Sequence, residues 1–194
     1  LAVPENPAHA RQMRELGIEP IDMVVVNLYP FEQTVAHAGV TIEEAVEQID
    51  IGGPSMLRSA AKNFRHRAVI ADPTRYAAVG EEMTKTGGRV SEDTCALLAR
   101  EAFRHTAAYD AAIAGYLDSR AGTGSGFPPY LRVMAAKELD LRYGENPHQR
   151  GSLYGAFTTL FRKLHGKELS YNNIVDMAAA AALGFTSRGN WRNE

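Results

Sequence analysis

Apolar residues in the first 121 positions follow two patterns. Two short segments, 21–28 and 67–72, are almost continuously apolar and rich in β-branched residues, which is typical of strands covered on both faces in a parallel sheet. Other segments place apolar residues at helical spacing, as at Leu57, Ala60 and Ala61. Strands that alternate with amphipathic helices predict an α/β fold built on a parallel sheet.

Capping residues predict where several helices begin. Asn6 before Pro7 predicts a first helix, and Thr41 with Glu44 forms the Thr-x-x-Glu capping box of another. Ser91 starts a long helix whose apolar residues fall in one narrow sector: Leu98, Ala102, Tyr109, Ile113 and Tyr116. We expect that helix to pack along its whole length.

The composition changes at residues 122–129, where glycine and proline dominate and no periodic apolar pattern remains. This segment predicts a linker between a first domain over 1–121 and the start of a second domain over 130–177. A weak alternation over 131–141 predicts a strand in the second domain. The final segment, 178–194, is predicted to be an unstructured tail because no helical or strand pattern follows its alanines.

Composition, charge and the lengths of the apolar segments argue against two classes of partner. The chain has 194 residues, of which 45% are apolar, so it is large enough for a packed core. Its 21 basic and 23 acidic residues nearly balance, so no overall charge attracts nucleic acid or an anionic membrane. The longest apolar stretches, 23–26 and 178–183, are far shorter than the ~20 residues that span a bilayer. Neither nucleic acid nor a membrane is an expected partner.

The cysteine and histidine content argues against a disulfide or a metal site. Cys95 is the single cysteine, so it cannot form an internal disulfide, and its apolar neighbours place it on a buried helix face. The six histidines are too far apart in the sequence for a local metal-binding motif. These features predict a reducing, cytoplasmic location and no bound metal.

Two motifs, 23 positions apart, carry the candidate chemistry. Asn-Leu-Tyr-Pro-Phe at 27–31 ends the first strand, and Asp-Ile-Gly-Gly-Pro at 50–54 opens a helix that carries Lys62. Because ligands bind at the carboxyl edge of open α/β sheets, these residues predict a site at that edge. Consecutive glycines let a ligand approach the backbone, and amides at a helix N-terminus favour a phosphate or another anion.

These motifs also have a purely structural interpretation. Asp50 and the glycines can simply form a helix entry, and from the residues alone this interpretation is favoured. Lys62 is an ordinary exposed lysine unless it faces Asp50 and Asn27, where it could donate or accept protons. The Arg-Tyr pair at 142–143, with the polar turn that follows it, fits a domain-entry loop equally well. The residues alone leave these alternatives open.

Four stretches, taken together, closely resemble one family: 21–31, 43–63, 141–149 and 164–176. The family is that of the bifunctional purine biosynthesis proteins, which join an IMP cyclohydrolase domain to an AICAR transformylase domain. The resemblance covers about residues 1–177. It implies a methylglyoxal synthase-like α/β fold for the first domain, incomplete at its N-terminus, and the start of an AICAR transformylase α/β domain after it.

The resemblance also implies the chemistry of the first domain. That domain would close the purine ring of 5-formamidoimidazole-4-carboxamide ribotide to give IMP, with loss of water and without a cofactor. Lys62 would be the proton donor and acceptor, with Asp50 as a second catalytic residue and Tyr29 as a supporting phenol. The nucleotide contacts would come from five residues: Val26, Asn27, Asp50, Ile51 and Gly52.

In the second domain, Arg142 and Tyr143 match the AICAR-binding pair of the family. The transformylase reaction takes a formyl group from 10-formyltetrahydrofolate, and the Lys-His pair that the family uses for it has no equivalent in this sequence. Intact members act on the formamido ribotide, IMP and AICAR, and they form homodimers.

The family's Ser/Thr-Gly-Gly phosphate loop and Lys-Thr-Leu-His-Pro segment would precede Leu1, so we expect the chain to be truncated at both ends. Two hypotheses follow. The chain is the cyclohydrolase portion of the bifunctional enzyme joined to a partial transformylase domain, or it is a catalytically inactive fragment that retains at most weak purine nucleotide binding.

Overall fold

The computed structural model of the chain describes residues 2–3, 5–121 and 130–190, the last seven of them as backbone. It divides into two compact units, Leu1–Arg132 and Val133–Glu194. The predicted linker at 122–129 lies outside the described residues. In the described parts of the chain, no helix has the combination of length and low polarity that a bilayer span requires.

Helices and strands follow one another in the first unit. Their order is α1 (Pro7–Glu15), β1 (Met23–Val25), α2 (Phe31–Val35), α3 (Ile42–Glu47), α4 (Gly52–Lys62), β2 (Ala68–Ile70), a 3₁₀ turn (Pro73–Arg75), α5 (Tyr76–Thr86) and α6 (Glu92–Arg120). The two strands pair in parallel, with Met23 opposite Ala68 and Val25 opposite Ile70.

Helices α4 and α6 pack against β2 to form the main hydrophobic core. All three residues of β2 are buried, and Val69 at its centre has no exposed surface. The helices contribute residues at helical spacing to this core: Leu57, Ala60 and Ala61 from α4, and Leu98, Ala99 and Ala102 from α6. The predicted burial of the strand at 67–72 is confirmed, but only Ala68–Ile70 of that segment form the strand.

The prediction for the other strand was wrong in length and burial. Only three residues of the 21–28 segment form β1, and 47% of Val25 and 66% of Ile21 are exposed. Within the described residues β1 pairs with β2 alone, so one edge of it has no hydrogen-bonded neighbour. An apolar sequence favours burial, but whether a strand is covered depends on its tertiary neighbours.

The predicted helix caps are confirmed. The Asn6 carboxamide accepts a hydrogen bond from the Ala8 amide at 2.9 Å, and the Ser91 hydroxyl accepts one from the Thr94 amide at 3.3 Å. Thr41 and Glu44 bond reciprocally, side chain to amide, at 2.9 and 3.1 Å. The short helix α2 was not predicted, because five residues are too few to show a helical period.

Helix α6 extends beyond the main core to a second cluster. Its Tyr109 is buried there with Phe31 of α2 and Ala45 of α3. Cys95 near its start is also buried, and this burial raises the pKa of the thiol. The expectation that Cys95 lies in the core is confirmed. The expectation that α6 packs along its whole length is confirmed only as far as Tyr116, since its fully buried residues end at Tyr109 and Leu117 is 40% exposed.

The second unit begins with an antiparallel pair of strands, β3 (Lys137–Leu141) and β4 (Gly151–Tyr154), whose register shifts between Lys137 and Leu139. Helices α7 (Phe157–Leu160) and α8 (Tyr171–Asn190) follow. The predicted strand over 131–141 is therefore limited to its last five residues. The preceding apolar residues, such as Leu131, are exposed and unpaired with any strand among the described residues.

The predicted unstructured tail was wrong over 178–190, where the backbone continues α8 to Asn190. Alanine has the highest helix propensity of the residues, and each residue added to an existing helix gains a hydrogen bond without a new nucleation cost. The alanine run therefore extends the helix that starts at Tyr171. Residues 191–194 lie outside the described residues.

The packing of the main core predicts that alanine substitutions at two neighbouring residues of α4 have very different effects on the free energy of unfolding. Replacing Leu57, which has no exposed surface, by alanine should lower the free energy of unfolding by ~2–5 kcal/mol because it leaves a cavity. Met56→Ala removes a side chain that is 50% exposed and should change the free energy of unfolding by less than ~1 kcal/mol. Urea denaturation of the two variants checks this, and equal losses would contradict the assignment of the core.

Candidate functional site

The two sequence motifs meet at the carboxyl edge of the parallel pair. Asn27 and Leu28 follow β1, and α4 begins beside them. A Cβ atom added at Gly53 would lie only 2.7 Å from Cδ2 of Leu28, so the helix start is in close contact with the segment after β1. The 27–31 and 50–54 motifs therefore form one surface.

Asp50 is fixed at the start of α4 by hydrogen bonds from both its side chain and its backbone. Its Oδ1 accepts a bond from the Gly53 amide at 2.7 Å. Its own amide donates to the Tyr109 hydroxyl at 2.8 Å, and that hydroxyl donates to the Gln48 carbonyl at 3.0 Å. The carboxylate therefore neutralises the positive end of the α4 dipole.

The two glycines of the motif have different surroundings. A Cβ atom at Gly53 would collide with Oδ2 of Asp50, and its amide is already bonded to Oδ1 of the same side chain. Gly52 is exposed, and a Cβ atom there would meet nothing within 4 Å. A ligand can therefore approach the backbone closely at Gly52. At Gly53, the absence of a side chain instead makes room for Asp50 and Leu28.

Asn27 is oriented by a residue that the sequence did not single out. The Tyr76 hydroxyl at the start of α5 donates to Oδ1 of Asn27 at 3.2 Å. This bond occupies the amide oxygen and leaves the NH₂ group of the exposed Asn27 side chain to donate to a ligand. Val26 beside it is half-buried, and its backbone amide is bonded to the Ile70 carbonyl at 3.1 Å.

Two further predicted site residues, the supporting phenol Tyr29 and the contact residue Ile51, lie on the surface next to this edge. The Tyr29 side chain is 55% exposed, and the Ile51 side chain is 75% exposed. Together with the NH₂ donors of Asn27, the carboxylate of Asp50 and the open backbone of Gly52, they form a polar edge with apolar flanks. Such an edge can bind a flat ligand that carries both donors and acceptors.

The structure does not bring Lys62 to this edge. Lys62 is the last residue of α4, ten positions after Gly52, which corresponds to ~15 Å along the helix axis. Its side chain is exposed, and among the described residues it makes no ion pair or hydrogen bond. The nearby basic residues Arg65 and Arg67 are paired with Glu92 and Asp22, at 4.0 and 3.5 Å.

Tyr109 is the buried member of the site that sequence reasoning missed. The helical pattern identifies it only as an apolar residue of the long helix. A buried tyrosine hydroxyl requires a hydrogen-bond partner, however, and so predicts a polar contact. Burial raises the pKa of Tyr109 above its usual value. The hydroxyl therefore keeps its proton and can donate to the Gln48 carbonyl.

A cavity of about 590 Å³ lies elsewhere in the first unit, beneath α1 and beside α4. Two polar side chains in its wall are bonded within the protein. Asn63 donates to the Ala2 carbonyl at 3.0 Å, and Nδ1 of His9 accepts a bond from the Val3 amide at 3.2 Å. The remaining wall is mainly apolar.

In the second unit, Arg142 and Tyr143 form a stacked pair between β3 and α8. The Arg142 guanidinium lies 4.9 Å from the centroid of the Tyr143 ring, and its Nη2 donates to the phenol oxygen at 3.3 Å. Hydrogen bonds from the Ser170 hydroxyl and from Arg142 lower the pKa of Tyr143. Arg142 is exposed, so the guanidinium retains donors for an anionic group.

The backbone of this pair is tied to the start of α8. The Arg142 amide donates to the Leu169 carbonyl at 2.7 Å, and the Tyr171 amide donates to the Tyr143 carbonyl at 3.1 Å. Ser170 between them is 1% exposed and caps α8 by accepting a bond from the Asn173 amide. The backbone hydrogen bonds of Arg142 and Tyr143 therefore hold this pair against the start of α8.

The described residues contain no group of three or more histidine, cysteine, aspartate or glutamate side chains that could hold a metal ion. The polar groups at the sheet edge can donate and accept hydrogen bonds without one.

Comparisons with known proteins extend these observations. A family model described as the AICARFT/IMPCHase bienzyme matches residues 60–187, and a model of an MGS-like domain matches residues 2–55. The bifunctional purine biosynthesis protein PurH of Bacillus cereus strain B4264 is 53% identical over 189 residues, which is 94% of this chain and 36% of the relative. The same-named protein of Bacillus anthracis is 52% identical, with the same coverage.

A crystal structure of ForH is similar to this chain with a TM-score of 0.53 and 38% sequence identity, and the match covers 59% of this chain and 58% of that one. The chain spans about a third of the length of the curated relatives that it matches. The resemblance seen in the sequence and the expected α/β fold are confirmed by these matches. The chain belongs to the family of AICARFT/IMPCHase bienzymes.

Proposed function

We propose that the first unit binds purine nucleotide intermediates at the carboxyl edge of β1 and contributes to IMP cyclohydrolase activity. The observation that carries this proposal is the convergence of Asn27, Asp50 and Gly52 at one edge, in a chain whose relatives are bifunctional purine biosynthesis proteins. The substrate is the formamido ribotide and the product is IMP. No cofactor takes part, because the reaction only forms a C–N bond and eliminates water.

The chemistry requires proton transfer. The carboxamide nitrogen attacks the formyl carbon and loses a proton, and the resulting alkoxide gains one. The former formamido nitrogen then gives up its proton as the carbon–oxygen bond breaks, so that a C=N bond forms and water leaves. Lys62 acts as the proton donor and acceptor in this proposal, a role that the resemblance to the family supports. Its side chain is exposed, and the structure does not place it beside Asp50 and Asn27. Asp50 and Asn27 bind the nucleotide, with Val26, Ile51 and Gly52 at its edges, and Tyr29 is a supporting phenol.

Lys62 and Asp50 contact different parts of the ligand under this proposal, because they lie at opposite ends of α4. The same separation favours a second candidate function, in which the chain binds purine nucleotides but does not close the ring. Measuring binding and turnover separately distinguishes the two functions.

For the second unit, we propose that Arg142 and Tyr143 bind AICAR. The co-substrate of the transformylase reaction is 10-formyltetrahydrofolate. In this proposal the chain contributes nucleotide binding to that reaction. We propose that the enzyme is homodimeric and cytoplasmic and that it binds neither nucleic acid nor a membrane.

Replacing Lys62 should separate the two candidate functions. If the chain forms IMP from the formamido ribotide, Lys62→Ala should lower the turnover number by ~10²–10⁴-fold because a general acid–base group is lost. Lys85→Ala is the matched control, since Lys85 pairs with Glu81 on the surface of α5, away from the sheet edge. The absorbance change on IMP formation is the measurement.

Turnover that is unchanged in Lys62→Ala would contradict the catalytic role of this lysine. IMP binding without turnover in the unaltered chain would instead support the second candidate function.

Gly53→Ala should weaken IMP binding because its Cβ atom would displace the Asp50 carboxylate. We expect about a tenfold higher Kd, equivalent to ~1.4 kcal/mol. Gly80→Ala in α5 is the control, since a Cβ atom there meets nothing within 4 Å, and it should leave the Kd unchanged. Isothermal titration with IMP checks both, and equal affinities for IMP in the two variants would argue against nucleotide binding next to Asp50.

In the second unit, Arg142→Gln should raise the pKa of Tyr143 and weaken AICAR binding by about tenfold, as expected for the loss of a charged hydrogen bond worth ~1.5 kcal/mol. Arg162→Gln, at another exposed arginine of the same unit, should change neither. NMR titration of the Tyr143 ring carbon measures the pKa, and calorimetry measures the affinity. An unchanged AICAR affinity in Arg142→Gln would exclude the proposed role.

A further inference from the structure

Tyr109 connects the two halves of the proposed nucleotide site. It lies on α6, is only 5% exposed, and belongs to the buried cluster with Phe31 and Ala45. Neither its burial nor its position on α6 requires a hydroxyl group, because a phenylalanine ring would fill most of the same space. The bonds that the hydroxyl makes therefore indicate what it contributes.

The Tyr109 hydroxyl bonds the segment that leads into α4. It accepts a hydrogen bond from the Asp50 amide at 2.8 Å and donates one to the Gln48 carbonyl at 3.0 Å. These partners lie between the end of α3 and the start of α4. The amides of Gln48 and Ile49 still bond back to α3, at Ala45 and Val46, whereas the Asp50 amide bonds Tyr109. One side-chain oxygen thus fixes the backbone that carries the Asp50 carboxylate.

The Tyr109 ring packs against the 27–31 motif. It packs edge to face against the ring of Phe31, with 6.3 Å between the centroids and an angle of 69° between the planes. Phe31 ends the motif that begins at Asn27, and 1% of it is exposed. Tyr109 is therefore one side chain that contacts both the segment carrying Asn27 and the segment carrying Asp50.

We propose that Tyr109 is a positioning residue of the nucleotide site, whose hydroxyl sets the Asp50 carboxylate and whose ring sets the segment carrying Asn27. This inference rests on the proposed function of the first unit. Tyr109 does not touch the ligand, and it acts through the two residues that do.

The same helix supplies a matched comparison at Tyr116, seven residues after Tyr109. The Tyr116 ring also packs edge to face on Phe31, with 5.8 Å between the centroids. Its hydroxyl is buried but has no hydrogen-bond partner among the described residues. Tyr109→Phe and Tyr116→Phe therefore delete the same atom from the same cluster, and only the first deletion removes bonds to the site.

The test compares IMP affinity in the two variants of the full chain, by calorimetry at a temperature where both are folded. We expect Tyr109→Phe to raise the Kd for IMP by about fivefold, the effect of losing a hydrogen bond of ordinary strength. Tyr116→Phe should leave the Kd within twofold of the unaltered chain. Equal Kd values in the two variants would overturn the positioning role, because a purely structural hydroxyl does not change the affinity of folded protein.

Amide hydrogen exchange keeps this test separate from the test of the proposed function. Without ligand, the Asp50 and Gly53 amides should exchange faster in Tyr109→Phe than in Tyr116→Phe, while amides of β2 exchange equally in both. If the unaltered chain does not bind IMP, the proposed function fails, and the exchange rates alone decide whether Tyr109 fixes Asp50. Equal exchange at Asp50 in both variants would then overturn the inference.

Discussion

Burial of β2 beneath α4 and α6 is the constraint on which the first unit depends. Because all three residues of β2 are buried, both helices must present their small and branched apolar residues to it. Helix α4 is thereby placed with its N-terminus at the carboxyl edge of the sheet, against Leu28. Helix α6 has 29 residues and is ~44 Å long, so it reaches beyond this core to the second cluster and places Tyr109 behind the same edge.

The chemistry of the edge follows from this placement. A helix N-terminus normally attracts an anion, but here the Asp50 carboxylate already occupies the Gly53 amide. The edge therefore offers an acceptor at Asp50, donors at Asn27 and open backbone at Gly52. These groups suit a ligand that carries hydrogen-bond donors and acceptors better than they suit a phosphate, and the proposed binding of a purine at this edge rests on that preference.

Much of this arrangement could be predicted from sequence, because local signals decide it. The capping residues Asn6, Thr41 and Ser91 determine helix starts by bonds to nearby amides, and each lies where the sequence placed it. The exposure of Val25 and the bonds of Tyr109 could not be predicted in the same way, since both depend on partners far away in the sequence. The alanine run after Asp176 shows a third limit, because high propensity extends a helix without any amphipathic pattern.

An NMR titration of the isotope-labelled chain with IMP locates binding residue by residue and does not require turnover. Binding at the carboxyl edge predicts amide shifts concentrated at Asn27, Tyr29 and residues 50–52, with little change at Met13, Met56 and Asn63 in the wall of the cavity under α1. Shifts confined to that cavity, or the absence of shifts at millimolar IMP, would contradict a nucleotide site at the carboxyl edge of the sheet.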